Sequence, residues 1–184
     1  MNWKTYSQLN GQHAFLSASK YHWVQYDNEK LQDTYLSWQA VKRGTEYHEL
    51  ASRLINLGVK LPKTQRTLNL FVNDAIGFKM QTEQCLYYSP NCFGTCDAIC
   101  FRNNQLRIHD LKTGKIAANM TQLDIYAALF CLDYNYNPND IQIELRIYQF
   151  DEVQVTVPEP TDILYIMDKI KSFDNQINQI NKEM

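Results

Sequence analysis

The sequence predicts an α/β (α+β) protein built on a central mixed sheet, and two observations carry that reading. Apolar residues recur at helical spacing up to about Lys79, and there the pattern changes to β-type segments. Three alternating segments follow one another across short turns, and a helical stripe separates them from a fourth. The expected sheet begins with an antiparallel three-strand meander. N-terminal helices, a crossover helix and a C-terminal helix flank it.

In chain order, Ser17 is a candidate N-cap for a short helix that buries Tyr21 and Trp23 or a neighbour. Asp33 to Gly58 reads as one long or two abutting helices, with Gly44 marking a joint, Thr45 capping the second half and Gly58 ending it. Tyr47, Leu50, Ala51, Leu54 and Leu57 form its stripe, and His48 rides on the margin. Pro62 separates it from a helix over about Thr64 to Gly77. The strands are Lys79–Tyr88, Phe93–Arg102 and Gln105–Lys112, joined by Ser89-Pro90-Asn91 and by Asn103-Asn104. Asn119–Tyr134 is helical by Leu123, Tyr126, Ala127, Phe130 and Cys131. Ile141–Gln149 alternates as a strand, and Val153–Val157 pairs back on it. Pro158–Pro160 leads into a final helix that keeps Ile163, Ile166, Ile170 and Phe173 in register before a fraying polar tail.

At 184 residues and 45% apolar content the chain suits one domain, 1–184, with a core over about 44–157 and a C-terminal helix and tail over 158–184. No apolar run approaches the roughly 18 residues of a membrane helix, and Met1-Asn-Trp-Lys-Thr-Tyr6 lacks the features of a signal peptide. A soluble, cytoplasmic protein is expected, with no membrane partner. A net charge of −2 excludes coating of nucleic acid by bulk attraction. Charge is nonetheless uneven: residues 1–115 carry 14 Lys/Arg against 9 Asp/Glu, and 116–184 carry 4 against 11. That is either a weakly basic face or a solvated surface. Cys92, Cys96 and Cys100 fit neither a paired zinc motif nor a disulfide framework, and Cys96 and Cys100 are expected as buried thiols opposite Asp97.

The chemistry-bearing residues begin with Asp110 and Lys112, which share one face of an extended strand. Alone, such a pair is a surface ion pair. Asp97 on the preceding strand comes alongside Asp110, and two converging carboxylates call for a cation, with oxygen ligands that suit Mg²⁺ or Mn²⁺. Lys112 is then placed to orient a water or to stabilise developing charge. Glu83 is a further carboxylate ligand or an exposed strand residue, and His48 is a structural histidine or a ligand. Gln122 and Tyr126 share a helix side and contact substrate or brace Thr113-Gly114-Lys115, unless they are surface and core residues. That loop lacks the first glycine of a P-loop, and no GxSxG elbow is present.

Taken in order, Gly44-x-x-x-His48, Glu83, Gly94-x-x-Asp97, Asp110-x-Lys112 and Gln122-x-x-x-Tyr126 resemble the motif series of the RecB-type nucleases of the PD-(D/E)xK superfamily. Nuclease domains of RecB and AddAB, CRISPR-associated exonucleases and phage exonucleases share that series. Ser17-Ala-Ser19 is similar to the family's N-terminal helix, and the resemblance spans about residues 15–157. It implies a restriction-endonuclease-like core and a divalent-metal-dependent DNA nuclease, more an exonuclease than an endonuclease, serving recombination, repair or phage DNA processing. His48, Asp97 and Asp110 would be metal ligands with the Leu111 carbonyl. Glu83, Asp97, Asp110 and Lys112 would be catalytic. Gln122, Tyr126, Thr113 and Lys115 would lie on the substrate side.

The implied partners are linear duplex ends or single-stranded DNA and a recombination or single-strand-annealing protein, in a bacterial or phage-infected cell. Some relatives hold an iron–sulfur cluster. Here no Cys stands near Gln25-Tyr26 and only Cys131 follows Tyr126, so no cluster is expected. The competing reading is a catalytically silent nuclease-like module that binds nucleic acid or protein.

Overall fold

The computed structural model describes Ser7 and residues 14–183, and the chain divides into two compact units, 1–45 and 46–184. In the first unit, Ala18–Gln25 forms a 3₁₀ segment rather than an α-helix. The Ser17 side chain does not cap it. Its carbonyl instead accepts from Trp23 Nε1 at 2.9 Å, which leaves Trp23 half-buried and Tyr21 exposed. The rings of Phe15 and Tyr35 meet edge to face, and Tyr35 stacks on Trp38.

Helix α1 (Asn28–Asn56) starts under an Asp27 cap, whose carboxylate accepts from Lys30 N at 2.7 Å. It runs unbroken through Gly44, so the expected joint does not exist. Thr45 is not a cap either: its hydroxyl bonds back to the Val41 carbonyl at 3.3 Å, as an interior threonine does. The predicted stop holds. Gly58 has φ +67°, Val59 N donates to Leu54 O, and Gly58 N to Ile55 O, a Schellman closure that only glycine adopts without strain.

The second unit is a three-layer sandwich. Its sheet has the order β1-β2-β3-β4-β5, with β1 (Gln81–Ser89), β2 (Cys92–Arg102), β3 (Gln105–Leu111), β4 (Gln142–Gln149) and β5 (Glu152–Thr156). Only β3 and β4 pair in parallel, through the crossover helix α3 (Thr121–Tyr134), so the sheet is mixed and opens with the expected meander. Asn103 and Asn104, at φ +51° and +57°, make the two-residue turn before β3.

One layer is α3 and α4 (Pro160–Glu183), packed on Leu106, Ile108, Leu145 and Ile147. The other is the end of α1 and α2 (Thr67–Gly77), packed on Ala98, Cys100, Leu111 and Tyr148. Full burial of each large aliphatic side chain contributes about 1.5–3 kcal/mol. β3 is central and covered on both sides, which is why His109, Asp110 and Leu111 are buried in succession.

Two boundary expectations and one face assignment change. Helix α2 starts at Thr67, not Thr64, because Asp151 in the β4–β5 turn accepts from Thr67 N and Thr67 Oγ1 at 2.8 and 3.0 Å. The polar tail is helical to Glu183. Ser89 and Asn91 bond to Asp174, and Asn91 also reaches Asn178, so polar residues dock the end of α4 while Phe173 is exposed. Cys96 and Cys100 are buried free thiols as expected, but they lie in opposite layers.

The cause lies at Glu83. It has φ +53° in mid-strand, and the rung that would pair it with Asp97 is missing between Thr82↔Ala98 and Gln84↔Cys96. Alternation flips across that rung on both strands. Among the described residues, no helix is long and apolar enough to cross a membrane.

Candidate active site

The β2–β3 ladder ends at the Ala98↔His109 rung, and there the strands fork. The Asp97 side chain enters the fork: Oδ2 accepts from Leu111 N at 2.8 Å and Oδ1 lies 3.0 Å from His48 Nδ1. Burial of Ala51 and Ile55 aims the His48 side of α1 at the sheet. The bond to Asp97 holds the His48 imidazole above its usual pKa, against the effect of burial. It uses Nδ1 and leaves Nε2 for a ligand.

Asp110 is 3% exposed. Burial first, and then the Asp97 charge, push its carboxyl up, while Lys112 and His48 pull the other way. Lys112 Nζ donates to Asp110 Oδ1 at 3.2 Å. It stands 2.9 Å from Oδ2 without the alignment of a hydrogen bond, so Oδ2 is a buried oxygen with no hydrogen-bond partner.

Lys112 Nζ also donates to Gln122 Oε1 at 2.8 Å. Gln122 Nε2 donates to Tyr126 OH at 3.1 Å, and Tyr126 OH to the Thr95 carbonyl at 2.7 Å. This chain runs from β3 across α3 to β2 and fixes the lysine head. Gly94 is required beneath it, since a Cβ there would lie 2.9 Å from Tyr126 Cε1.

Glu83 lies close enough to Asp97, His48 and Glu49 for their charges to act on it. Burial and then Asp97 push its carboxyl up, against the pull of His48. Its left-handed backbone is strained for a residue with a Cβ. Thr113 and Lys115 are exposed and have no side-chain hydrogen bond or ion pair among the described residues. Gln122 and Tyr126 do not brace their loop. Gln149 does so, with Nε2 donating to the Gly114 and Ile116 carbonyls at 2.9 and 2.8 Å and Oε1 accepting from Ala118 N at 2.9 Å.

Among the described residues no three His, Cys, Asp or Glu side chains form a ready metal cage. The donor set nonetheless fits a hard divalent cation. Asp110 Oδ2 is buried and lacks a hydrogen bond, and the Asp97 and Asp110 carboxylates are near enough to raise the cost of ionising Asp110.

A family model described as "Protein of unknown function (DUF2800)" matches residues 75–182. The chain belongs to the DUF2800 family. The DUF2800 span runs from the end of α2 through nearly all of α4. It takes in Glu83, Asp97, Asp110, Lys112, Gln122 and Tyr126 and leaves His48 outside. No curated protein and no solved structure matches the chain.

Two features of this DUF2800 member escaped the sequence reading. Gln149 had a signal, because it is the polar member of the inward-facing series Ile143, Leu145, Ile147. Behind the site, His109 Nδ1 lies 3.1 Å from Tyr148 OH, which donates to Asp74 Oδ2 at 2.8 Å, and Arg146 Nη1 reaches the same oxygen at 3.0 Å. Burial and the two neighbouring arginines push His109 down to about 3, so it is neutral.

Proposed function

We propose that this protein is a divalent-metal-dependent deoxyribonuclease of the RecB type, cutting from DNA ends. The observation that carries the reading is the buried Asp110, with one oxygen lacking a hydrogen bond, beside Asp97 and a lysine head pinned from two sides.

His48, Asp97 and Asp110 would hold Mg²⁺ or Mn²⁺, with the Leu111 carbonyl as a further oxygen. When bound, the cation supplies Lewis-acid stabilisation of charge on a phosphodiester. Lys112 keeps an ammonium at the substrate side of Asp110. There it hydrogen-bonds the attacking water or neutralises charge developing on a phosphoryl oxygen. Gln122, itself held by Tyr126, fixes where Nζ sits, and this positioning contributes to rate without touching the reacting atoms. Glu83 takes up a proton more readily than an ordinary glutamate, the character of a group that exchanges protons with water. Thr113 and Lys115, exposed on the loop after Lys112, would meet the DNA backbone. No iron–sulfur cluster has a part in this reading, and the reaction belongs in the cytoplasm of a bacterial or phage-infected cell beside a recombination or strand-annealing protein.

A second reading, a catalytically silent binding module, is favoured by one fact. Both Asp97 oxygens are already occupied, by His48 and by Leu111 N. Incubation with end-labelled linear and covalently closed circular DNA, in Mg²⁺, Mn²⁺ or EDTA, separates the two. The proposal expects metal-dependent loss of the linear form, abolished in Asp110→Ala. DNA binding without cleavage under every metal condition supports the silent module.

A further inference from the structure

We infer that the loop between α1 and α2 carries a second ligand site, built for a phosphomonoester with a hydrogen-bond-donating body, such as a nucleoside monophosphate. A cavity of about 490 Å³ lies there, lined by Lys60, Leu61, Lys63, Thr64, Gln65, Leu70, Asn73 and Asp74. That volume falls within the range of small-molecule sites, about 300–1,000 Å³.

The loop is preorganised. Asn73 accepts from Leu61 N and donates to Leu61 O at 2.8 and 2.9 Å, and Asn69 donates to the Pro62 carbonyl and to Thr64 Oγ1, both at 2.9 Å. With the asparagines engaged, the free donors are the Lys60 and Lys63 ammoniums, the Gln65 amide and the Thr64 hydroxyl. Neither lysine has an ion-pair partner among the described residues.

The surrounding sequence reinforces this: from Leu50 to Asn73 there are Arg53, Lys60, Lys63 and Arg66 and no Asp or Glu, in a chain of net charge −2. The one carboxylate in the lining, Asp74, is ion-paired. Asp74 Oδ2 is neutralised by Arg146 and bonded by Tyr148 OH, and Oδ1 remains an acceptor for an N–H or O–H of the ligand. Leu61 and Leu70 supply apolar wall for a base or sugar. A phosphate on the lysines and a donor on Asp74 use each of these groups once.

Two sources share that chemistry, a free nucleotide and the terminal nucleotide of a DNA strand. Calorimetric titration of the full chain in EDTA, with dAMP, inorganic phosphate or a 5′-phosphorylated single-stranded oligonucleotide, tests the site without engaging a metal. The expected result is binding of dAMP that is weakened tenfold or more in Lys60→Gln/Lys63→Gln and unchanged in Asp110→Asn. Tighter binding of dAMP than of the oligonucleotide assigns the free nucleotide, and the reverse order assigns a strand end. Absence of dAMP binding up to millimolar concentration, or equal affinity in the lysine variant, overturns the inference. Loss of binding in Asp110→Asn alone would place the ligand at the metal site and overturn it equally.

Discussion

Asp110 decides most at the scale of single residues. Its carboxyl titrates above the usual aspartate range in the folded protein because it is buried and faces Asp97. Between the unfolded value and the raised folded one the native state binds more protons than the unfolded chain, so stability falls as pH rises through that window. In EDTA at neutral pH, Asp110→Asn is therefore expected to melt above the wild type, with the gap closing in acid; a lower melting point in the variant contradicts this. Gly94 gives a second prediction. Gly94→Ala pushes the Tyr126 ring off its position and breaks the chain to Lys112, at a cost of about 1–3 kcal/mol in chemical denaturation. The nearness of Asp97 to Asp110 was legible because both stand on neighbouring strands of a meander marked by its turns. That His48 would spend Nδ1 on Asp97, and that Gln122 would hold the lysine rather than the loop, depends on approach distances set by tertiary packing.

Individual elements show where local signals suffice. Gly58, Asn103-Asn104 and the alternation in β3 and β4 were readable because each is enforced by short-range sterics or by burial of one face. The flip at Glu83 was not, since a left-handed glutamate in mid-strand carries no residue-type signal and is imposed by the fork that admits Asp97. Glu83→Gly relieves that backbone at an exposed position. It is expected to raise stability by about 1 kcal/mol in urea unfolding while lowering the proposed nuclease activity. The continuity of α1 through Gly44 and of α4 to Glu183 also overrode local propensity. In α4 the polar bonds from Ser89 and Asn91 do so.

Helix α2 depends in the same way on Asp151, a residue 84 positions away from Thr67. The backbone N–H and hydroxyl of Thr67 hold the Asp151 carboxyl below the usual range. Its contribution is complete above the ordinary carboxylate pKa and is lost as pH falls through the depressed folded value. Asp151→Ala should lower the melting temperature at neutral pH, by an increment that shrinks in acid.

Across the whole molecule, the three-layer unit sets a forked sheet between α1 and α3, so that His48 comes from one layer and Gln122 from the other. The order of helices and strands followed from the change of pattern along the chain. The meeting of both layers at one fork did not, because period places a residue on a face and says nothing of where strands part. The central proposal is that His48, Asp97 and Asp110 form one cation site beside Lys112. It is tested most directly by the melting temperature with increasing Mn²⁺, since a cation that binds only the native state raises it. The account predicts a saturable rise in the wild type that is lost in both Asp97→Ala and Asp110→Asn. No rise in the wild type, or an undiminished rise in both variants, would contradict it.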